Sequence, residues 1–250
     1  MKGSVTRDRI LPLNGALNFR DLGGYPTVEG RVTRWGRMFR SDTLHAITSE
    51  DLVTLRSLDI RTVIDLRPHG EIAYTGRGLL GRSSISLIEA DAPGDAPPAF
   101  STVASVGDAP LHDVYWHYLT SGPAKYVRAL QELGRPEIYP VVVSCFFGKD
   151  RTGVLVALAL ACAGVQRDAI VEDYALSATR MGYIVERLQR DPVYSDTLEQ
   201  TPDWRLSAPP ATMLTFLERL DEYYGGARSW ALRAGLTEVQ LENLRSALLE

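Results

Sequence analysis

The sequence predicts an α/β fold with a mainly parallel central sheet flanked by helices. Two stretches carry the prediction. "IRTVIDLRP" follows an amphipathic segment and reads as a β-branched strand, Arg61 to Leu66, that ends in charge. "VVVSCFFGKDRTGVLVALALACAG", residues 141 to 164, joins a second β-branched run to a long apolar run through a polar, glycine-containing knot. Helix, strand and charged strand end in succession is the rhythm of parallel α/β proteins. A chain of 250 residues, 45% of them hydrophobic, can bury a substantial core, so one domain spanning residues 1 to 250 is expected.

The elements follow in order. "ALNFRDLGGYPTVEGRVTRWGRMFRSD" alternates short apolar segments with Gly23-Gly24, Glu29-Gly30 and Trp35-Gly36, which predicts a small antiparallel N-terminal hairpin. Thr48-Ser49-Glu50-Asp51 supplies cap and acidic first turn to a helix whose stripe is Leu52, Leu55 and Leu58. Residues 89 to 110 are rich in Ala, Pro, Gly and Asp without periodicity, as in a mobile surface loop. From Leu111 to Gly134, Val114, Tyr118, Tyr126, Ala129, Leu130 and Leu133 line the inner faces of helices broken at Gly122-Pro123. A strand at Val141 to Val143 precedes a helix that starts around Arg151. The chain after Gly164 reads as helical, and residues 180 to 210, interrupted by prolines from Pro192 onward, read as a second mobile, lid-like segment. Met213, Phe216, Leu217 and Leu220, then Leu241, Leu244 and Leu248, are core positions of C-terminal helices.

Composition removes several functions. A net charge of -4 gives no basic footprint for nucleic acid, so phosphate recognition has to be local. The longest apolar run, Val154 to Val165, holds about a dozen residues where a membrane span needs roughly 20. No integral membrane segment is expected, and without a secretory signal in "MKGSVTRDRILPLNG" a cytoplasmic location is the default. Cys145 and Cys162 do not make a disulfide framework. His45, His69, His112 and His117 lack metal-ligand spacing, and neither metal nor cofactor is expected.

The knot itself lies where open α/β sheets bind ligands, after a strand's carboxyl end and before a helix N-terminus. Backbone N–H groups from Phe146, Phe147, Gly148, Lys149, Asp150 and Arg151 are able to converge on an anion, with Gly148 free to adopt backbone angles that a Cβ resists. The helix adds its positive dipole end. Five residues separate Cys145 from Arg151, so a curled loop brings both to one phosphate. Arg151 offers a bidentate fork, and the positive surroundings favour a thiolate at Cys145 that attacks phosphorus. Three other readings compete. Cys145 is a buried structural residue; or "FFGKDRTG" is half a Walker loop, although that motif wants glycine at Val143 and Ser or Thr at Asp150; or the loop is a sulfurtransferase's, although the gap to arginine and Thr152-Gly153 favour phosphate.

"CFFGKDRTG" resembles the Cys-x5-Arg signature of protein tyrosine phosphatases, and the Lys-Asp before the arginine resembles the atypical bacterial tyrosine and dual-specificity branch. "NFRDLGGY" (18 to 25), "FRSDTLHAIT" (39 to 48), "IRTVIDLR" (60 to 67) and "GLTEVQLENLRSALL" extend the similarity over most of the chain. The resemblance implies a tyrosine-phosphatase-like fold and hydrolysis of a phosphorylated substrate through a phosphocysteine, without metal. In it Cys145 matches the nucleophile, Arg151 the phosphate clamp, Lys149 a loop cation near the phosphate, and Asp150 the general acid. Thr152 matches a donor to the sulfur.

The alternative for Asp150 is a salt bridge to Arg20 or Arg67 that shapes the loop. Asp91, Asp95, Asp108 and Asp113 lie where ordinary members keep the acid. Asp65, Arg67, Arg20 and Ser144 are candidates for substrate contact or loop support, against pairing of Asp65 and Arg67 with the "NFRD" segment. Ser144 stands where the family carries histidine, which predicts a less activated thiol. Phe146 and Phe147 suit an aromatic phosphoester and Lys149 with Arg151 a phosphoinositide. A small phosphometabolite and a catalytically weak phosphate-binding module are the remaining alternatives.

Overall fold

The computed structural model describes residues 8–92, 109–190, 195, 198–199 and 201–250. Its sheet has five strands: β1 (Arg20–Asp21), β2 (Met38–Ser41), β3 (Thr62–Asp65), β4 (Ser86–Glu89) and β5 (Val141–Ser144), in the order β1-β2-β5-β3-β4. β2, β5, β3 and β4 are parallel, and β1 is an antiparallel edge on β2. The register sets Ser41, Ser144, Asp65 and Glu89 in one row at the carboxyl ends. Cys145 therefore leaves the sheet at its central strand.

Val141, Val142 and Val143 are fully buried because β5 is covered on both faces, as continuous β-branched runs predict. Alternation divides the core. Val141, Val143 and Ile64 face a large cluster that takes in the helices α3 (Leu111–Ser121), α4 (Pro123–Leu133) and α5 (Asp150–Cys162). Val142, Val63 and Phe39 face a smaller cluster with Leu55 of α1 (Ser49–Ser57). The predicted cap is present: Thr48 Oγ1 accepts from Asp51 N, and Asp51 accepts back from Thr48 N. α2 (His69–Thr75) lies between β3 and β4. After α5 come α6 (Arg167–Ala175), α7 (Ala178–Leu188), the short α8 (Asp203–Leu206), α9 (Pro210–Tyr224), α10 (Ala227–Arg233) and α11 (Glu238–Leu248).

The break at Gly122-Pro123 falls between α3 and α4, where Pro123 opens the second helix. The N-terminal hairpin is more than an appendage. Pro26 and Val32 bridge across its turn, but β2 continues into the main sheet and pairs with β5. β4 was not legible as a strand: it is an edge strand with Ser86 exposed, so its pattern lacks a buried run. Of the stretch 89 to 110, residues 93 to 108 lie outside the described residues, as do several positions between 191 and 200.

Candidate active site

Cys145 follows β5, and α5 starts at Asp150, so the loop between them has only four residues in which to turn. Gly148 makes the turn with φ +64°. A Cβ there would stand 2.3 Å from Ser41 O and 2.4 Å from Asp42 N, so the close pass against β2's end admits only glycine. Among the described residues, none of the five amide N–H groups from Gly148 to Thr152 donates a hydrogen bond. Thr152 Oγ1 is buried and also without a partner, so it makes no bond to the Cys145 sulfur. Helix N-termini leave orphan donors, and a run of five of them is suited to an anion.

The loop's carbonyls, by contrast, are tied down from outside. Phe146 O accepts from Thr43 N at 3.1 Å. Asn18 Nδ2 donates to Phe147 O (3.1 Å) and Gly148 O (3.2 Å), and Arg40 Nη2 donates to Gly148 O at 2.7 Å. With their carbonyls held by Thr43, Asn18 and Arg40, Phe146, Phe147 and Gly148 have fixed peptide planes. Asn18 is itself held through its N–H to Asp42 and its Oδ1 from Arg20. Arg20 and Arg40 converge on Asp173 of α6, at 2.9 and 2.5 Å, and Tyr25 Oη donates to the same carboxylate at 3.0 Å. All three charges are at most 1% exposed. Burial alone would push the Asp173 carboxyl up, but the two guanidiniums hold it well below the ordinary carboxylate range.

Arg151, in the first turn of α5, is fixed by a second buried acid. Its Nη2 donates to Glu71 Oε1 (2.9 Å) and Oε2 (3.2 Å), and Nη1 to Leu66 O (3.4 Å). Burial opposes its charge, yet Glu71 and Cys145 beside it raise the guanidinium above its usual value, so it stays a cation. Nε makes no hydrogen bond among the described residues and is available to a ligand. Asp65 and Arg67 pair with each other rather than with the "NFRD" segment: Arg67 Nη2 meets Asp65 Oδ2 at 2.7 Å, and Arg67 Nη1 donates to Thr75 at 2.6 Å. The turn they shape carries Leu66, whose N–H donates to Ser144 O at 2.8 Å.

Several expectations change. Arg20 and Arg67 both have other acids, so neither bridges Asp150. Asp150, 22% exposed, instead accepts from Tyr115 Oη at 2.7 Å and stands 3.3 Å from Lys149 Nζ. Lys149 is buried and its ammonium donates to the carbonyls of Arg205 and Ser207 (3.0 Å), which engages it on the chain around α8. Phe146 and Phe147 pack with Met181, Ile184 and Leu188 of α7, and so serve the core. Asp91 pairs with Lys125 and Asp113 with Arg219, while Asp95 and Asp108 lie outside the described residues. His69 and His112 stand beside Glu89 and Asp113, and His45 and His117 bond Thr43 and Ser121. Among the described residues no group of His, Cys, Asp and Glu is placed to hold a metal.

A run of orphan amides between a thiol and a fixed guanidinium is the arrangement that a cysteine-dependent phosphatase uses to hold and attack a phosphoryl group. The chain belongs to the tyrosine phosphatase family, whose sequence profile matches residues 11–250. It is 29% identical to the triple specificity protein phosphatase PtpB of Mycobacterium tuberculosis, over 96% of this chain and 99% of that one. It is 27% identical to a tyrosine-protein phosphatase of Nostoc commune, over 84% of this chain and 73% of that one. Among solved structures it is similar to the core catalytic domain of the PP-IP phosphatase SIW14 from S. cerevisiae, at 17% identity and a TM-score of 0.40, over 78% and 96% of the two chains. The protein is thus a metal-independent cysteine phosphatase acting on phosphorylated substrates.

Sequence reasoning missed Glu71, Asn18, Arg40, Asp173 and Tyr115. Asn18 and Arg40 sit inside the stretches that carry the family resemblance, where a search for buried polar groups would start. Glu71 and Tyr115 lie in segments with no local signal.

Proposed function

We propose that the protein dephosphorylates phosphotyrosyl proteins, with Cys145 as the nucleophile, Arg151 as the clamp on the equatorial phosphoryl oxygens and Asp150 as the proton donor to the leaving group. The observation that supports this most is the run of amides from Gly148 to Thr152, unpartnered among the described residues, that follows the cysteine. They neutralise the charge that builds up on the transferred group without reorganising as it forms. Cys145 is 1% exposed, so its substrate must reach inward, which a phenyl ester does better than the shorter side chain of phosphoserine. The protein phosphatase PtpB is a relative whose similarity spans 96% of this chain.

Phosphoinositides are the second class to test, because Lys149 adds a cation to the loop; to reach a further phosphate it has to leave the carbonyls of Arg205 and Ser207. Cys162 takes no part, since burial pushes its thiol up to about 12. Two cysteines and a net charge of -4 support a reducing cytoplasm as the enzyme's location and no nucleic-acid partner.

The test is phosphate release by the wild type from a phosphotyrosyl peptide, a phosphoseryl peptide, phosphoinositides, nucleotides and sugar phosphates, with Cys145→Ser as the background. The phosphotyrosyl peptide should show the highest kcat/KM, and Cys145→Ser should release no phosphate while still binding it. A nucleotide or sugar phosphate at the head of the ranking would overturn the substrate assignment.

A further inference from the structure

Asp150 is anchored by one oxygen only. Tyr115 Oη donates to Oδ1 at 2.7 Å, and Lys149 Nζ approaches the same oxygen at 3.3 Å. Among the described residues Oδ2 accepts no hydrogen bond. Tyr115 is fully buried in α3, and its hydroxyl lies 2.8 Å from that of Tyr174 in α6. Because its single proton goes to Asp150, Tyr174 must be the donor in the second bond. The two hydroxyls form a directional chain that ends on Oδ1.

We propose that Tyr115 is a positioning residue for proton transfer: it holds Asp150 through Oδ1 so that Oδ2 exchanges the proton with the leaving group and then with water. This rests on the reading of Asp150 as the general acid. In the first step the Cys145 sulfur bonds to phosphorus as the bond from phosphorus to the leaving oxygen breaks. That oxygen takes the proton from Oδ2, and Asp150 is left a carboxylate whose new charge the Tyr115 O–H stabilises. In the second step a water oxygen bonds to phosphorus as the sulfur–phosphorus bond breaks, the electron pair returns to sulfur, and the water's proton goes to Oδ2. Tyr115 suits this task because it remains a donor throughout. Burial, then the neighbouring Asp150 and Tyr174, push its hydroxyl well above the usual tyrosine value.

A purely structural role predicts something different. The Tyr115 ring packs edge-on against Tyr174 and Phe216, with centroids 6.0 and 6.4 Å away. Tyr115→Phe keeps those contacts and removes only the oxygen, so a purely structural hydroxyl would lower stability through its lost hydrogen bonds without changing how rate depends on the leaving group.

The experiment measures kcat/KM, which reports phosphoryl transfer to Cys145, for aryl phosphates whose phenols range from strongly acidic to a pKa of about 10, together with an alkyl phosphate. Wild type, Tyr115→Phe, Asp150→Asn and the double variant are compared, with thermal melting of each. Tyr174→Phe serves as the packing control. Tyr115→Phe should lose about 10- to 100-fold on the alkyl phosphate and the least acidic phenol, yet less than about threefold on the most acidic one, since good leaving groups need no acid. Asp150→Asn should steepen the dependence at least as much, the double variant should be no steeper than Asp150→Asn, and Tyr174→Phe should keep a slope closer to wild type. If Asp150→Asn steepens the slope and Tyr115→Phe leaves it parallel to wild type, the positioning role is overturned while Asp150 remains the acid. If Asp150→Asn leaves the slope unchanged, the acid assignment itself fails, and Tyr115 with it.

Discussion

Arg151→Lys lowers kcat by about 10³-fold on every phosphomonoester substrate while the protein stays folded. The guanidinium works at two ends: Nη2 is held by Glu71 and Nη1 reaches Leu66 O, while Nε is left for phosphate. A lysine ammonium keeps the charge opposite Glu71 but cannot span both partners or offer a planar fork. Because the clamp matters most when charge spreads over the equatorial oxygens, the loss should fall on kcat more than on KM. Steady-state kinetics on an aryl phosphate checks this, and a loss below about tenfold would mean that the amide row carries the phosphate alone.

Asp173→Asn is expected to destabilise the protein by about 3–5 kcal/mol, because it leaves Arg20 and Arg40 buried with no counter-charge. Activity should fall with stability, since those arginines orient Asn18 and the Gly148 carbonyl. The pH dependence has a definite sign. Asp173 is held below its unfolded value, so its stabilisation is complete above the ordinary carboxylate range and is lost as pH falls through the lowered folded value. Asp42 acts in reverse, its carboxyl being raised by burial against the pull of Arg187, and gives up stability as pH rises through the carboxylate range. Urea unfolding from neutral to acid pH should therefore show a shallower acid loss in Asp173→Asn than in wild type. Equal slopes would show that Asp173 is not the anchor of the loop's supports.

What the sequence reveals is local, and what it hides is mostly long-range. β5, the loop and α5 are continuous in the chain, and strand pattern, glycine and the Cys-to-Arg spacing point to one another within a few residues. Asp173 is legible only as one acid in "VEDYA", a segment that also reads as an ordinary helix surface. Its partners lie 133 and 153 residues away, and only the packing of α6 on the sheet brings them together. Glu71 is 80 residues from Arg151 and sits on a seven-residue helix too short to show an inner face. Phe146 and Phe147 mislead for the same reason. Their place in the motif suggests a substrate surface, but α7 supplies an apolar partner that the local sequence does not announce. Asp150 is the mixed case: its position marks it as chemical, whereas its partner Tyr115 could be found only from the fold.

Catalysis through a phosphocysteine requires that a sulfur–phosphorus bond form at Cys145. Rapid mixing with an excess of aryl phosphate, an acid quench within one turnover and mass analysis of the peptides tests it most directly. One phosphoryl group on the peptide bearing Cys145, absent from Cys145→Ser, is the predicted result. Turnover with the phosphoryl group on a different side chain, or undiminished turnover in Cys145→Ser, would contradict it.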